Sequence, residues 1–334
     1  MKPRAQSKAK SPNPDAVEEV RVSTHPHTAE LGRISGPQVQ IVSKGGTNSF
    51  HGTSHFTFQD SSLNARPYFA RSVPDSNYRL FGGTVGGPIV KDRLFFFGAY
   101  EGLKSKVAGA TTALVETQQF RDQVLQLRPN SSAAKVYQTV PPLRYPTEGL
   151  RDRGRLLPGG GYSTDPDGIP DVGTVSVDSP FKRRGTQFNI RSDYQFSNGK
   201  DRLFGSYWYT RPEWGSNELR PSFFVETFTR VQSINVVHTR AFTPNILNEA
   251  RFGTVEIAFE QAYPKLAEII NIPYLFSDDG GVSINAPFEN IYHSRTYQFA
   301  GNLSINRGKH AFKVGGDYRS SLLTAEWPQP PSWS

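Results

Sequence analysis

Residues 187–209 read QFNIRSDYQFSNGKDRLFGSYWY. The first ten residues place apolar side chains two or four positions apart, at Phe188, Ile190, Tyr194 and Phe196. The positions next to them are polar, at Asn189, Arg191, Asp193 and Gln195. Because successive side chains of a β-strand point to opposite faces, this pattern predicts a strand with one apolar and one polar face. Asn198-Gly199 then predicts a tight hairpin turn into a second strand.

Stretches with strand character occur nine times from residue 51 onward. In the ninth, apolar residues at Phe312, Val314 and Tyr318 oppose polar ones at Lys313, Asp317 and Arg319. This succession predicts an all-β fold. The predicted strands are 51–59, 78–89, 93–102, 186–197, 201–211, 230–243, 247–260, 295–306 and 309–320.

The connections discriminate between a soluble β-sandwich and a membrane barrel, since alternating strands fit both. Joins of two or three residues, such as 198–200, alternate with much longer ones. An outer-membrane barrel has short turns on the periplasmic side and long loops on the outer side. The sequence therefore predicts an antiparallel outer-membrane β-barrel segment, incomplete, with long extracellular loops at 60–77, 103–185, 212–229 and 261–294.

The composition agrees with a barrel. Hydrophobic residues make up only 36% of the chain, which suits strands that need an apolar residue at every second position. The longest apolar stretch, 94–100, is far shorter than the roughly 20 residues of a membrane-spanning helix. Cysteine is absent, which excludes disulfides, zinc knuckles and thiol nucleophiles.

Residues 1–15 are predicted to form a disordered basic tail. Lys2, Arg4, Lys8 and Lys10 supply half of the net charge of +8. So short a run is typical of a solvated tail, and we expect no nucleic-acid partner. The first residues lack the apolar core and cleavage site of a signal peptide. Because an outer-membrane protein needs one for export, we expect a truncated start.

Residues 16–52 carry the most specific motifs. Val39, Ile41 and Val42 predict a short buried strand, and the Gly- and Asn-containing cluster after it predicts a loop. The whole run resembles the end of the plug domain and the first barrel strand of Oar-like TonB-dependent receptors. The resemblance rests on Ala29-Glu30-Leu31-Gly32-Arg33, on residues 38–44, and on Gly46-Thr47-Asn48-Ser49-Phe50-His51-Gly52.

Further matches follow in the same order at 63–66, 81–89 and 91–98. Leu31 stands where the family usually has an aromatic residue, and Gly45 replaces a common serine. The resemblance implies that residues 16–50 end a plug domain, that 51–325 form early barrel strands, and that 326–334 are a truncated end. It also implies a plug-to-barrel junction made of Gly32, Arg33, Gly36, Lys44, Gly46, Thr47, Asn48, Phe50, His51 and Gly52.

The resemblance further implies a function. Receptors of this family take up a ligand bound at the cell surface, with siderophores, cobalamin and glycans as substrate classes, and the inner-membrane TonB complex supplies the force. We therefore expect an outer-membrane location, contact with outer-membrane lipid and lipopolysaccharide, an unknown extracellular ligand, and a link to the TonB complex through an upstream region. Such transporters have about 22 strands, so the nine found here predict a fragment that forms no transporting pore alone.

Four aromatic residues are candidates for the membrane interface. Phe95, Phe96 and Phe97 begin the third predicted strand, and Trp208 lies in the fifth. Aromatic rings tolerate both headgroups and hydrocarbon, and they form girdles at this level. We therefore expect these four rings in the aromatic interface of the barrel.

A carboxylate-rich turn is the candidate metal site. Asp165, Asp167 and Asp171 surround a glycine, and calcium prefers such oxygen-rich loops. The same dipeptides are good turn formers, so calcium is one of two interpretations. His25 and His27 are too few ligands to close a metal site, and we expect no other cofactor.

The longest connection, 103–185, is predicted to be an elaborate surface loop. Leu114, Phe120, Val124 and Leu127 predict one short amphipathic helix within it. Loops longer than about 15 residues are usually functional or mobile.

No catalytic pattern stands out. The chain contains neither a nucleophile elbow nor a P-loop lysine motif, and we expect no enzyme activity. Two alternatives remain beside the receptor. One is a soluble β-sandwich that binds glycans through Tyr207, Trp208, Tyr209 and Trp214, because rings stack on sugar faces. The other is a non-functional gene remnant.

Overall fold

The computed structural model describes residues 13–23, 38–66, 68, 73, 75–107, 110–156, 162–178, 181–216, 225–262 and 290–326. Most of them belong to one nine-stranded antiparallel sheet, which confirms the all-β prediction. In chain order the strands are β1 (Val17–Ser23), β2 (Gln38–Ser43), β3 (His51–Asp60), β4 (Ser76–Val90), β5 (Leu94–Val107), β6 (Ala110–Glu116), β7 (Glu148–Arg151), β8 (Arg155–Leu156), β9 (Tyr162–Ser163), β10 (Val172–Asp178), β11 (Phe181–Gln195), β12 (Asp201–Ser216), β13 (Val225–Thr243), β14 (Ile246–Ala262), β15 (Asn290–Arg307) and β16 (His310–Glu326).

The large sheet has the strand order β16-β15-β14-β13-β12-β11-β5-β4-β3. It contains all nine predicted strands. β5 and β11 pair directly as far as Val107 and Phe181, so the connection between them is 108–180, shorter than the predicted loop 103–185, and the meander continues across it. Among the described residues β3 and β16 are the two edges and do not pair with each other, so the sheet is an open segment of a barrel.

The connections alternate in length as predicted. The short ones, 91–93, 196–200, 244–245 and 308–309, all lie at one end of the sheet. Gly199 and Gly308 adopt φ values of 65° and 61°, the left-handed conformation that tight turns need. The connection at 217–224 is shorter than the predicted loop 212–229, because β12 and β13 stay paired as far as Ser216 and Val225.

The two faces of the sheet have opposite chemistry, and the polar face is the buried one. On this inner face Glu101 is 4% exposed and Asn189 is 2% exposed, whereas Ile190, on the outer face, is 55% exposed. A water-soluble domain buries its apolar face, so this arrangement is the reverse of a soluble core and suits strands that face lipid. Other exposed apolar residues of the outer face are Phe56, Phe81, Val85, Tyr100, Ile234, Tyr297, Phe299, Phe312, Val314 and Tyr318.

The connection between β5 and β11 is more ordered than a simple surface loop. β6, β10 and β7 form a small sheet, on which α1 (Gln118–Leu127) and α2 (Ser132–Thr139) pack around Val124, Val136 and Val140. The prediction of one helix including Leu114 was wrong, because Leu114 lies on β6. The helix starts after Thr117, whose hydroxyl accepts a hydrogen bond from the Phe120 amide. Among the described residues, no helix is long and apolar enough to cross a membrane.

The reversed chemistry of the sheet predicts opposite effects of one substitution on neighbouring residues. Ile234 faces outward, and an arginine there would place a charge in hydrocarbon at a cost of about 2–4 kcal/mol near the bilayer midplane. Ser233 lines the inner cavity, so Ser233→Arg is the matched control. We expect Ile234→Arg to lower the unfolding free energy in lipid vesicles by that amount and Ser233→Arg to change it much less. Equal effects would contradict a lipid-facing surface.

The open edges generate a second prediction. Unpaired backbone groups of β3 and β16 are prohibitive in lipid, where no water satisfies them. The isolated 334-residue chain, refolded in detergent, should therefore give no closed barrel. The measurement is electrophoresis of boiled and unboiled samples, because closed barrels change mobility on heating. A stable band that shifts on heating would contradict the prediction.

Candidate functional site

An N-terminal segment is seated on the inner face of the sheet. We call residues 13–23 and 38–50 the docking segment, and the inner faces of β3, β4, β5, β11 and β12 the inner wall. A 3-10 turn at Pro14–Ala16 begins the docking segment, and the Asn13 side chain accepts a hydrogen bond from the Asp15 amide at 2.9 Å. Ala16 is 0% exposed and packs with Phe97, Ala99 and Trp208 of the inner wall.

A chain of polar contacts extends from this turn across the inner wall. The Asp15 carboxylate contacts His55 Nδ1 at 3.1 Å and accepts a hydrogen bond from Thr53 Oγ1 at 3.3 Å. His55 Nε2 lies 3.8 Å from a Glu101 carboxylate oxygen, and Gln187 donates to the other oxygen at 2.8 Å. The set therefore links the docking segment to β3, β5 and β11. We call it the Asp15 network.

Because Gly82 has no side chain, the His55 imidazole can lie against its backbone. A Cβ at position 82 would lie 2.9 Å from His55 Cε1 and 3.0 Å from His55 Nε2. Distances this short are repulsive, so any other residue would displace the imidazole from Glu101. Gly82 is thus explained by the close approach of the Tyr100 carbonyl oxygen and the His55 ring.

A second contact holds β2 against the inner wall. The Arg191 guanidinium donates to the Ser43 carbonyl, and it binds Asp193 through two hydrogen bonds of 2.7 and 2.8 Å. The guanidinium also lies over the Phe204 ring at 4.6 Å. Two-point pairing with a carboxylate fixes the orientation of an arginine, so the donor to Ser43 is pre-positioned.

The junction between the docking segment and β3 is anchored at the short-turn end. Asn48 donates to the Asp92 carboxylate at 2.6 Å, and its side-chain oxygen accepts from the Asp92 amide at 2.9 Å. A Cβ at Gly46 would lie 2.8 Å from the Gly87 carbonyl oxygen and 2.9 Å from Phe95 Cβ. Only glycine fits at position 46, so the docking segment crosses the β4–β5 turn in close contact with its backbone.

Three more of the predicted junction residues lie at this crossing. The Lys44 amide donates to the Ala16 carbonyl at 2.9 Å, and Thr47 Oγ1 donates to the Ser49 carbonyl at 2.9 Å. Gly52 lies on β3, opposite a valine of β4. These contacts are within the docking segment or at its boundary with β3, so they shape the crossing itself.

Two aromatic junction residues contact β5. The Phe50 ring lies 6.4 Å from Phe96, and the His51 ring stacks 6.5 Å from Phe97. The remaining predicted junction residues, Gly32, Arg33 and Gly36, lie outside the described residues.

The ribbon formed by β1 and β2 differs from the prediction of a buried strand at 39–42. Val39 and Ile41 were expected in a buried strand, but both are exposed, together with Val20 and Val22, which pair with them. The reason is that two paired strands cannot cover their own face.

One ion pair lies on this ribbon. Arg21 donates two hydrogen bonds to Glu19, which hold the pKa of Glu19 below its ordinary value and raise the pKa of Arg21. Both side chains are exposed, so the pair adds little to stability.

A cavity of about 650 Å³ lies between β2 and the inner faces of β11 to β15. Its lining is mixed, with Ser233, Asn235 and Gln298 beside Ile41 and Trp208. The space is therefore inside the curve of the sheet, on the polar side, where a barrel has its lumen.

Comparison with known proteins decides the family. Residues 42–332 match the family described as the outer membrane beta barrel domain. The chain belongs to this outer-membrane β-barrel family. The TonB-dependent transporter Oar of Myxococcus xanthus is 30% identical over 92 residues, which are 25% of this chain and 9% of that protein. The ferric preacinetobactin receptor BauA of Acinetobacter baumannii aligns over 87% of this chain and 44% of the receptor, with 11% identity and a TM-score of 0.31.

The family match and the transporter Oar confirm the resemblance to TonB-dependent receptors and the outer-membrane location. The matched stretch spans less than a tenth of the transporter Oar. The matching family covers the nine-stranded sheet whose apolar face is turned outward.

The aromatic interface of this outer-membrane β-barrel differs from the prediction. Phe97 is 1% exposed and packs on the inner wall with Ala16 and Trp208, so neither Phe97 nor Trp208 faces lipid. Phe95 alternates with Phe96 and shares the inner face with Phe97, which leaves Phe96 as the outward ring of the three. Strand alternation forbids three consecutive rings from sharing a face, and sequence reasoning overlooked this.

The three aspartates of the carboxylate-rich turn each accept a hydrogen bond from the chain. Asp165 accepts from a serine hydroxyl at 2.9 Å, Asp167 from the Ile169 amide at 2.9 Å, and Asp171 from the Arg153 amide at 2.7 Å. Among the residues described, no group of three metal-ligating side chains is close enough to hold an ion. In this turn the carboxylates act as acceptors for a hydroxyl and for backbone amides.

Sequence reasoning missed the Asp15 network. Asp15 was assigned to a disordered tail, and Glu101 and Gln187 were treated only as parts of strands or loops. A usable signal exists, because Glu101 interrupts the apolar run of β5 at an inner position. A carboxylate buried beside Phe97 and Ala99 needs hydrogen-bonding partners, which predicts polar neighbours on the adjacent strands.

The tight crossing at Gly46 generates a prediction. Gly46→Ala would force a Cβ against backbone that cannot move freely, and overpacking of this kind typically costs about 1–3 kcal/mol. We expect a loss of that size in the unfolding free energy of the full-length protein in lipid vesicles, measured with urea. Gly205→Ala is the matched control, since nothing lies within 4 Å of its added Cβ. A loss as large for Gly205→Ala would contradict a steric cause.

Proposed function

We propose that this chain forms the part of a TonB-dependent receptor in which the plug meets the barrel wall, and that the receptor takes up a ligand bound at the cell surface. The observation that carries the proposal is the docking segment seated on a polar inner wall through the Asp15 network. A transporter needs such a contact to be stable at rest and separable under force. Polar contacts that water can replace meet both needs.

The contacts of the docking segment lie at two different distances from the start of β3. Gly46 and the Asn48–Asp92 pair bind the junction to the β4–β5 turn, close to the start of β3. The Asp15 network holds the part of the docking segment farther from that junction. Tension from an inner-membrane TonB complex would therefore break the Asp15 contacts while the junction stays in place.

The cavity favours a ligand with polar groups. Ser233, Asn235 and Gln298 supply hydrogen-bonding groups, and Arg251 supplies a guanidinium group that is also paired with Glu249. A few polar groups on a partly apolar lining are the usual composition of a ligand site. Displacement of β2, which forms one side of the cavity, would open a path along the inner face.

The glycan-binding alternative has less support. The proposed glycan platform is divided between two faces, because Trp208 alternates with Tyr207 and Tyr209 along β12. Rings on opposite faces of a strand cannot stack on one sugar. The matching family is a membrane barrel and the curated relative is a transporter, so we propose no catalytic activity.

The test is a reversible lock on the docking segment. Thr53 Oγ1 and an Asp15 carboxylate oxygen lie 3.3 Å apart, and these 334 residues contain no cysteine, so Asp15→Cys with Thr53→Cys places two new thiols on facing segments. In the full-length protein, we expect oxidation to abolish energy-dependent uptake and a reductant to restore it. The probes are labelled ferric siderophores, cobalamin and oligosaccharides, given to cells with and without a protonophore.

The single-cysteine variants Asp15→Cys and Thr53→Cys are the controls, since neither can form the lock. In each of them, uptake should be equal under oxidising and reducing conditions. Uptake that persists in the oxidised double variant would contradict movement of the docking segment. Recovery of the protein in the soluble periplasm without detergent would contradict the receptor itself.

A further inference from the structure

A second cavity lies on the inner face of the sheet, nearer the short turns than the first. Its volume is about 430 Å³, and residues of β5, β11, β12 and β13 line it. Gln195, Arg202 and Thr239 supply its polar lining, and they lie in one row across three neighbouring strands. We call this space the lower cavity, and the cavity of about 650 Å³ the upper cavity.

The two cavities meet at a single row of the sheet. Phe204 and Val237 pair in register and line both cavities. The next inward-facing row towards the long connections consists of Arg191, Ser206 and Asn235, which all line the upper cavity. The next row towards the short turns is the polar row of the lower cavity. One row of side chains therefore separates the two spaces.

An aromatic ring and a guanidinium form the separating element. The Arg191 guanidinium lies 4.6 Å over the Phe204 ring, and Asp193 holds it through two hydrogen bonds of 2.7 and 2.8 Å. A cation is attracted to an aromatic face, and two-point pairing with a carboxylate fixes its orientation. The ring and the guanidinium are therefore held as one unit, which we call the partition.

The docking segment covers the partition from the lumen side. The Ser43 carbonyl accepts a hydrogen bond from Arg191. A Cβ at Gly45 would lie 3.3 Å from an Asp193 carboxylate oxygen and 3.4 Å from Arg191 Cζ. The backbone at 43–45 is thus in contact with the ion pair, which leaves no passage between them. Displacement of the docking segment would remove this cover.

The lower cavity suits an anionic group. Arg202 lines it, and within the described part of the chain no carboxylate lies within ion-pair distance of this guanidinium. Asp193 lines the same cavity, but it is bound to Arg191. Gln195 and Thr239 add hydrogen-bonding groups on either side of Arg202. A carboxylate or a similar acidic oxygen group would find both a charge and hydrogen bonds there.

We propose that the upper and lower cavities are successive stations on a route for an anionic solute along the inner wall, and that the partition closes this route. The route is closed while residues 43–45 cover the Arg191–Asp193 pair, and it opens when the docking segment is displaced. The direction of transport rests on the proposed function. The partition itself is a property of the wall and is tested without any transported ligand.

The test measures how far a reagent can reach from the cell surface. These 334 residues contain no cysteine, so Ser233→Cys marks the upper cavity and Thr239→Cys marks the lower one. Both variants are made in the full-length protein, with any cysteine outside these residues replaced by serine. The reagent is a maleimide on a long, slender tether attached to streptavidin, which is too large to cross the outer membrane. Whole cells are labelled in the presence of a protonophore, so that the docking segment stays in place.

We expect Ser233→Cys to be labelled at least tenfold faster than Thr239→Cys. Adding Phe204→Ala should raise labelling of Thr239→Cys at least tenfold, because the ring of the partition is gone. Phe299→Ala is the matched control, since it removes an exposed ring from the outer face, and it should change the rate less than twofold. Equal labelling of the two markers, or equal effects of the two alanine variants, would overturn the proposal.

Two further variants separate the partition from a general loosening of the sheet. A cysteine at Asn189, which is 2% exposed and lines neither cavity, should stay unlabelled when Phe204→Ala is present. Labelling there would show that the sheet has loosened and would overturn the partition as the cause. Asp15→Ala removes the central contact of the Asp15 network, and it should raise labelling of Thr239→Cys at least threefold. No increase would contradict opening by displacement of the docking segment.

The charge of the solute is tested on protein purified in detergent, where both ends of the route are open. Thr239→Cys should react at least threefold faster with a negatively charged methanethiosulfonate than with a positively charged one, after each rate is divided by that of a free thiol. Arg202→Gln should abolish this preference, whereas Lys309→Gln, at an exposed turn, should leave it unchanged. A preference that survives Arg202→Gln would overturn the anionic class. Cells that take up none of the transport probes would contradict the proposed function, while the labelling pattern would still decide the partition.

Discussion

The strict alternation of side chains along each strand is the constraint on which the rest of the structure depends. Backbone groups in a bilayer must find partners within the protein, and in this sheet they do so between neighbouring strands. Each strand then has one face for lipid and one for the lumen, and a shift by one residue would exchange them. Asn189 and Ile190 illustrate the result. The polar Asn189 is buried and the apolar Ile190 is exposed, whereas a soluble protein would bury the isoleucine.

The polar inner face makes docking possible. An apolar wall would hold a docked segment by burial, whereas Glu101 and Gln187 belong to a network of hydrogen bonds that water can replace. Glycines on β4 and at position 46 bring the two surfaces close enough for these bonds to form. Sheet register therefore determines both which residues meet the docking segment and how firmly each part of it is held.

The strands and the barrel family could be predicted from the sequence because the signals are local. Alternation in β11 and β16 and the tight turn between β11 and β12 depend on a few neighbouring residues. The Asp15 network could not be predicted, since Asp15, His55 and Gln187 meet only after β3, β5 and β11 have assembled. The errors at Phe97 and Trp208 have the same origin: residue type indicated an aromatic interface, but register determines the face.

Charge is treated differently on the two faces. On the inner wall, Arg191 is bound by Asp193, because a buried charge without a partner is costly. On the outer face, Lys104 stands between Arg79 and Arg184. Folding alone would favour an acidic residue between the two arginines. Solvent can screen exposed like charges, so the outer face tolerates an arrangement that the inner wall excludes.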